Sequence, residues 1–92
     1  MPAHGVYATR VTFENGESRP AVTNIGVRPT VDDGDRVTVE GFILDFQGDL
    51  YGQTVRMEFY KRLRGERKFP SLEALKDEVM RNAEQTRAYF ST

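Results

Sequence analysis

The sequence predicts an all-β domain followed by one C-terminal helix: a small antiparallel sheet curled towards a barrel. Three observations predict it. Residues rich in β-branched and aromatic side chains gather in four separate stretches before Ser71. Gly, Pro, Asn and Asp cluster between those stretches, so the strands are joined by turns. From Ser71 onward the apolar period changes from two to the three-and-four spacing of a helix.

"GVYATRVTF", Gly5 to Phe13, is the first strand, with Tyr7, Val11 and Phe13 on one face. "ENGES", Glu14 to Ser18, contains Asn15-Gly16, a hairpin-turn pair. "AVTNIGV", Ala21 to Val27, is the second strand. Arg28-Pro29-Thr30 should break its ladder, because Pro29 has no N–H to give. "VDDGDR", Val31 to Arg36, is a polar loop, and "VTVEGFILDF", Val37 to Phe46, is the third strand. "QGDLYGQ", Gln47 to Gln53, is a turn region with two glycines. "TVRMEFYKRL", Thr54 to Leu63, alternates Val55, Met57 and Phe59 against Arg56, Glu58 and Tyr60. "RGERKFP", Arg64 to Pro70, is a charged loop. Ser71 is the N-cap of a helix from Leu72 to about Tyr89, and Glu73 suits the positive end of its dipole. Its stripe of Leu72, Leu75, Val79, Ala83, Thr86 and Phe90 must pack on the open end or side of the sheet. Four strands are few for a closed barrel.

The 92 residues predict one domain with a modest core. A formal net charge of −1 argues against broad electrostatic binding to nucleic acid or anionic membrane. With no cysteine and a single histidine, His4, thiolate metal sites, His cages and Ser-His-Asp chemistry fall away. No apolar run approaches the ~20 residues that span a bilayer, and "MPAHGVYATR" has no apolar signal core. A cytoplasmic location is expected.

One residue in the third strand stands out. Glu40 alternates onto the face of Phe42, Leu44 and Phe46, while Val37, Val39 and Ile43 form an opposite face that is also apolar. If the second face is buried, Glu40 points to water. If the first is buried, Glu40 is partly desolvated and needs a partner or a chemical role. Alternation leaves both open. Three further segments carry polar chemistry. "TNIGVRPT", Thr23 to Thr30, combines Asn, Gly and Arg28 near a chain reversal, which suits phosphate or a plain Pro turn. "LDFQGDLYG", Leu44 to Gly52, sets two aspartates and Tyr51 around a glycine turn. "LRGERKF", Leu63 to Phe69, is either a solvated charged loop or a lid whose Arg64 and Phe69 hold a planar ligand.

Taken in order, "GVYATRV", "TNIGVRPT", "VEGFILDFQGDLYG" and "VRMEFYKRLRGERKFPSLEAL" resemble the riboflavin kinase family, most closely the C-terminal kinase module of bacterial bifunctional FAD synthetases. The resemblance runs from Gly5 to about Arg87. It implies a small antiparallel Greek-key β-barrel with a C-terminal helix. It implies transfer of the γ-phosphoryl group of ATP to the ribityl 5′-hydroxyl of riboflavin, giving FMN, with Mg²⁺. The family's catalytic base falls on Glu40, where barrel walls are expected to exclude water. Its nucleotide flap falls on Gly26, Arg28, Pro29 and Thr30, and Arg28 is the candidate for neutralising phosphate charge. Its adenine-side turn falls on Asp45, Phe46, Asp49 and Tyr51. Its flavin-side loop falls on Arg64, Glu66 and Phe69.

The family also has a G-R-x-L-G-F-P-T-A-N segment ahead of "GVYA", whose Thr and Asn hold Mg²⁺. This sequence starts four residues before Gly5, so no metal ligand is carried over, and Thr23 and Asn24 belong to a different motif. The expectation is a barrel lacking its first strand, an incomplete metal site and little kinase activity from these residues alone. Unpaired strand edges would favour a strand-exchanged or edge-paired homo-oligomer. The partners implied are riboflavin, ATP and an adenylyltransferase module in a parent chain. The alternative is a noncatalytic small β-barrel that binds flavin or a protein without turnover.

Overall fold

A computed structural model describes residues 3–29, 34–46, 52 and 54–91. Its elements are β1 (Gly5–Thr12), β2 (Ser18–Pro29), β3 (Asp35–Ile43), β4 (Arg56–Arg64) and α1 (Leu72–Phe90). The strands form one antiparallel sheet in the order β3-β2-β1-β4. Three hairpin-connected strands with the fourth returning beside the first make a Greek key. Among the described residues the sheet is not closed, and β3 and β4 form its edges.

The β1–β2 turn follows from Asn15-Gly16. Gly16 donates to the Phe13 carbonyl at 3.0 Å and adopts φ 89, and Phe13 N–H bonds the Glu17 carbonyl at 2.8 Å. Asn15 Oδ1 accepts from the Glu17 N–H at 2.9 Å. This is a tight turn continued by a left-handed residue, a position that favours glycine. Strand β2 runs further than the sequence predicts. Arg28 and Pro29 stay paired, opposite Arg36 and Asp35. Pro29 is tolerated because it occupies the final pair of the ladder, where a missing N–H costs least. Strand β3 ends at Ile43 rather than Phe46, because Asp45 turns the chain with φ 54. Leu44 is thereby fully buried and donates its N–H to the Pro20 carbonyl at 2.9 Å. Burying a side chain of that size contributes about 1.5–3 kcal/mol.

Each face of the sheet has its own core. On one face Val6, Val22 and Leu44 pack with Ala83 of the helix, joined by Leu63. On the concave face Val11, Phe13 and Ala21 pack with Ile43, Phe46 and Met57. Thr9 and Thr23 are fully buried there, their hydroxyls 2.8 Å apart, and Thr9 also donates to the Ala21 carbonyl at 3.0 Å. Met57 reaches from β4 to within 3.7 Å of the Thr23 hydroxyl, and a Cβ on Gly41 of β3 would stand 3.4 Å from its methyl. The Met57 side chain of one edge strand therefore reaches the backbone of the other across β1 and β2, which is the curl the strand pattern predicts.

Helix α1 is capped by Ser71, whose hydroxyl accepts from the Ala74 N–H at 3.0 Å. Its buried side keeps Ala83 and Thr86 of the predicted stripe but adds two residues outside it. Glu78, Asn82, Ala83 and Thr86 are buried, whereas Leu72 is 80% exposed. The helix is rotated so that two polar residues enter the seam with the sheet, and both meet Arg64 there.

Gly5 tightens the same corner. It has φ 148, and a Cβ would stand 2.7 Å from the Arg64 carbonyl and 2.9 Å from Arg62 Nε. Neither the backbone angle nor the approach of β4 accommodates a side chain. Gly5→Ala should therefore destabilise the chain by about 1–3 kcal/mol, read as a lower urea midpoint at unchanged slope; an unaltered midpoint would show that β4 moves aside freely.

Candidate functional site

The sheet face that carries α1 is not filled along its whole length. Between β2–β3, the 65–69 loop and the first half of the helix lies a cavity of about 500 Å³. Its sheet wall is formed by Val22, Asn24, Glu40 and Phe42. Its opposite wall is formed by Arg64, Glu66, Arg67 and Phe69, and Leu75, Val79 and Asn82 of the helix close the back. The volume suits a drug-sized organic ligand.

Strand register explains the sheet wall. Asn24 pairs with Glu40 and Val22 with Phe42, so the four side chains share one face. Glu40 does share its face with Phe42 and Leu44. Phe46 lies elsewhere, since the turn at Asp45 carries it into the concave core against Phe13, ring centroids 5.0 Å apart. The apolar residues opposite, Val37 and Val39, are about half exposed, so neither face of β3 is simply the buried one. Glu40 itself is exposed at the cavity rim. The expectation that barrel walls enclose it is corrected here: the interior of the curl is packed with Thr9, Thr23 and Ile25, and Glu40 faces the helix side.

The opposite wall depends on Arg64. Two register shifts in the β1–β4 ladder, between Val6 and Tyr7 and between Ala8 and Thr9, cancel in parity and leave Arg64 opposite Val6 on the helix face. Its Nε lies 3.1 Å from Glu78 Oε2 and donates to Asn82 Oδ1 at 3.1 Å. Its Nη1 donates to the Gly65 carbonyl at 3.0 Å. The guanidinium sits 5.5 Å from the centre of the Phe69 ring, and that of Arg67 sits 4.7 Å from it. Across the cavity Asn24 Nδ2 donates to Glu66 Oε2 at 3.3 Å, tying the loop to the strand beside Glu40. Burial lowers the pKa of Arg64 from its ordinary value, opposed by the charge of Glu78. The carboxyl of Glu78 is held below its ordinary value, chiefly by the hydrogen bond from Arg81, against the opposing effect of burial.

Of the residues singled out in the sequence, the structure brings Glu40, Arg64, Glu66 and Phe69 together around this cavity. Gly26 is buried on β2 opposite Thr38, one alternation beyond Asn24. The backbone of Arg28 and Pro29 continues that strand. Asp45 is exposed and pairs with Arg87 of the helix at 3.2 Å, and its hydrogen bond raises the pKa of Arg87. Asp45 and Phe46 are not among the residues that line the cavity. Thr30, Asp49 and Tyr51 lie outside the described residues. Among the described residues no three His, Cys, Asp or Glu side chains cluster to hold a metal ion. Nine lining residues have no role assigned from sequence. Among them Phe42 is within reach, two positions from Glu40 on an alternating strand, and Asn24 falls in the polar TNIGVRPT segment; Arg67 and Asn82 carry no signal beyond ordinary polar residues.

The family described as Flavokinase, riboflavin kinase, matches residues 1–90. A bifunctional riboflavin kinase/FMN adenylyltransferase from Pseudomonas fluorescens is 43% identical over 88 residues, covering 96% of this chain and 28% of the relative. A protein of the same description from Haemophilus influenzae is 38% identical over 91 residues, covering 99% of this chain and 29% of the relative. The chain thus spans under a third of the length of these curated relatives. A crystal structure described as a macrolide-efflux protein from Streptococcus pneumoniae superposes with a TM-score of 0.86 at 36% identity, over 95% of this chain and 28% of that one. Among the described residues no helix is long and apolar enough to cross a membrane.

The depressed pKa of Glu78 has a consequence for stability. A folded value below the unfolded 4.5 means that its contribution is fully present above pH 4.5 and is lost as pH falls through the folded value. Urea midpoints measured from about pH 6 down to about pH 3 should fall less steeply in Glu78→Gln than in the unaltered chain; parallel curves would show that Glu78 is not held ionised.

Proposed function

This chain belongs to the riboflavin kinase family, and on that premise we propose that it is a kinase module transferring the γ-phosphoryl group of ATP to the 5′-hydroxyl of riboflavin. The observation that carries this reading is the meeting of Glu40 with Arg64, Glu66 and Phe69 around one cavity. A carboxylate on the sheet wall faces a wall of cation and aromatic ring, the pairing that a flat isoalloxazine with a hydroxylated tail requires.

In this reading the flavin ring lies against Phe69 and Arg64, and its ribityl chain points towards Glu40. A primary alcohol is a poor nucleophile at neutral pH. Glu40 orients the 5′-hydroxyl and accepts its proton as the oxygen bonds to the γ-phosphorus; the bond from that phosphorus to the bridging oxygen breaks and ADP leaves. The exposure of Glu40 means that the bound substrates, not the protein alone, remove water from around it. By the order of the family's motifs, the nucleotide is given Gly26, Arg28, Pro29 and Thr30 as its flap and Asp45, Phe46, Asp49 and Tyr51 towards adenine. Mg²⁺ belongs to this reading as the partner of the ATP phosphates. The described residues offer no acidic cluster for it, so no step is assigned to a protein-held ion.

The descriptions of the bifunctional relatives support an enzyme over a noncatalytic module. An adenylyltransferase module in the same parent chain, a second copy paired through an open sheet edge and a cytoplasmic location complete the proposal. The efflux label of the structural neighbour is not carried over, since the family match and the curated relatives agree on another activity.

In the protein expressed from its complete reading frame, Glu40→Gln should lower kcat for FMN formation by about 10²–10⁴. Riboflavin binding, followed by quenching of flavin fluorescence, should persist. FMN formation at the unaltered rate would remove Glu40 from the mechanism.

A further inference from the structure

The geometry points to Glu78 and Asn82 as positioning residues, which set the orientation of Arg64 and through it the Phe69 wall of the cavity. As a statement about flavin binding this rests on the riboflavin kinase reading; as a statement about the wall it does not. Residues 65–69 have no regular secondary structure, so the ladder that fixes β4 gives them little support. Support comes from two sides: from the Asn24–Glu66 hydrogen bond to β2, and from the helix through Arg64. Arg64 is the last residue of β4, and its Nε is engaged by Glu78 Oε2 and Asn82 Oδ1, each at 3.1 Å.

Both helical groups are themselves held. Asn82 Nδ2 donates to Glu78 Oε2 at 3.2 Å and to Gln85 Oε1 at 2.9 Å, and Arg81 Nε donates to Glu78 Oε1 at 3.2 Å. The Asn82 side chain is nearly fully buried and Glu78 is 8% exposed, so neither has freedom to follow a moving arginine. A planar guanidinium held at Nε and, through Nη1, on the Gly65 carbonyl has its plane fixed, and its central carbon lies 5.5 Å from the centre of the Phe69 ring, which Arg67 approaches to 4.7 Å. Glu78 stands behind Arg64 and outside the cavity lining, whereas Asn82 lines it. Glu78 therefore acts on a ligand through Arg64.

The arrangement also states how the charge can be moved. Asn82 Oδ1 and Glu78 Oε2 are equidistant from Arg64 Nε, one helical turn apart. An aspartate at 82 would offer a carboxylate from the same direction, with Gln85 turning its amide to donate. The exchange Glu78→Gln with Asn82→Asp thus keeps one negative charge on Arg64.

The test uses the protein from its complete reading frame. Steady-state FMN formation gives KM for riboflavin, KM for ATP and kcat, and ¹⁵N NMR without ligand follows the Arg64 Nε–H and the Phe69 ring protons. In E78Q the Arg64 Nε–H should exchange faster and the Phe69 signals should shift. KM for riboflavin should rise about tenfold to a hundredfold while kcat and KM for ATP stay within about twofold, the pattern of lost uniform binding on one substrate. The E78Q/N82D protein should recover both the NMR signature and the riboflavin KM. A purely structural bridge predicts otherwise: kcat and both KM values worsen together in proportion to lost fold, and that result overturns the proposal, as does a failure of the double exchange to restore KM. If E78Q does not fold, Asn82→Ala is read in its place, with a smaller rise in riboflavin KM expected and an unchanged value overturning. If the unaltered protein makes no FMN, the kinase reading falls and the spectra decide alone: Phe69 signals that are the same in E78Q as in the unaltered protein refute the positioning role.

Discussion

Arg64 brings a permanent positive charge into the seam where β4, the 65–69 loop and α1 meet. Such a charge is tolerated only when it is paired and hydrogen-bonded, and breaking a buried pair costs about 3–5 kcal/mol. That requirement selects the buried side of the helix. Glu78 and Asn82 turn inward, and Leu72 is left in water. The helix thereby packs Ala83 on Val6 and Val22. The space beyond, towards Phe42 and Phe69, stays open. The cavity exists because the seam is set by an ion pair at one end and by apolar contacts at the other.

The concave side of the curl is packed at its middle with the Thr9–Thr23 hydroxyl pair, Met57 and Ile25. The cavity lies on the other, helix-bearing face. In the proposed reaction, the water-excluding environment of an exposed rim carboxylate such as Glu40 is created on binding rather than built into the fold.

Much of this was legible in the residues. Alternation placed four strands and the change of period placed the helix, because both are dictated by which side chains can share a face. The Asn15-Gly16 turn was legible because few residue pairs adopt its backbone angles. Glu40, Arg64, Glu66 and Phe69 were found through the order of short motifs. What escaped was set by tertiary partners. No local rule announces the two bulges opposite β1, the pairing of Pro29 or the inward rotation of Glu78. Phe46 was misplaced for a physical reason: alternation was carried past Asp45, where a left-handed residue resets which way the chain faces. The helix stripe was read by hydropathy alone, and a charged residue with a buried partner overrides hydropathy.

The placement of β4 bears on how the protein reaches this state. Strands β1, β2 and β3 are neighbours in sequence and can zip together through local hairpins. β4 must instead find β1 across most of the chain, as the contact between Arg62 and the His4 carbonyl, 58 residues away, makes plain. Contacts of such long sequence separation form late, because the closure entropy of the intervening loop comes first. Docking of β4 is also what delivers Arg64 to the helix. A nascent chain or a partly unfolded one can thus hold its meander intact and still possess no ligand chamber.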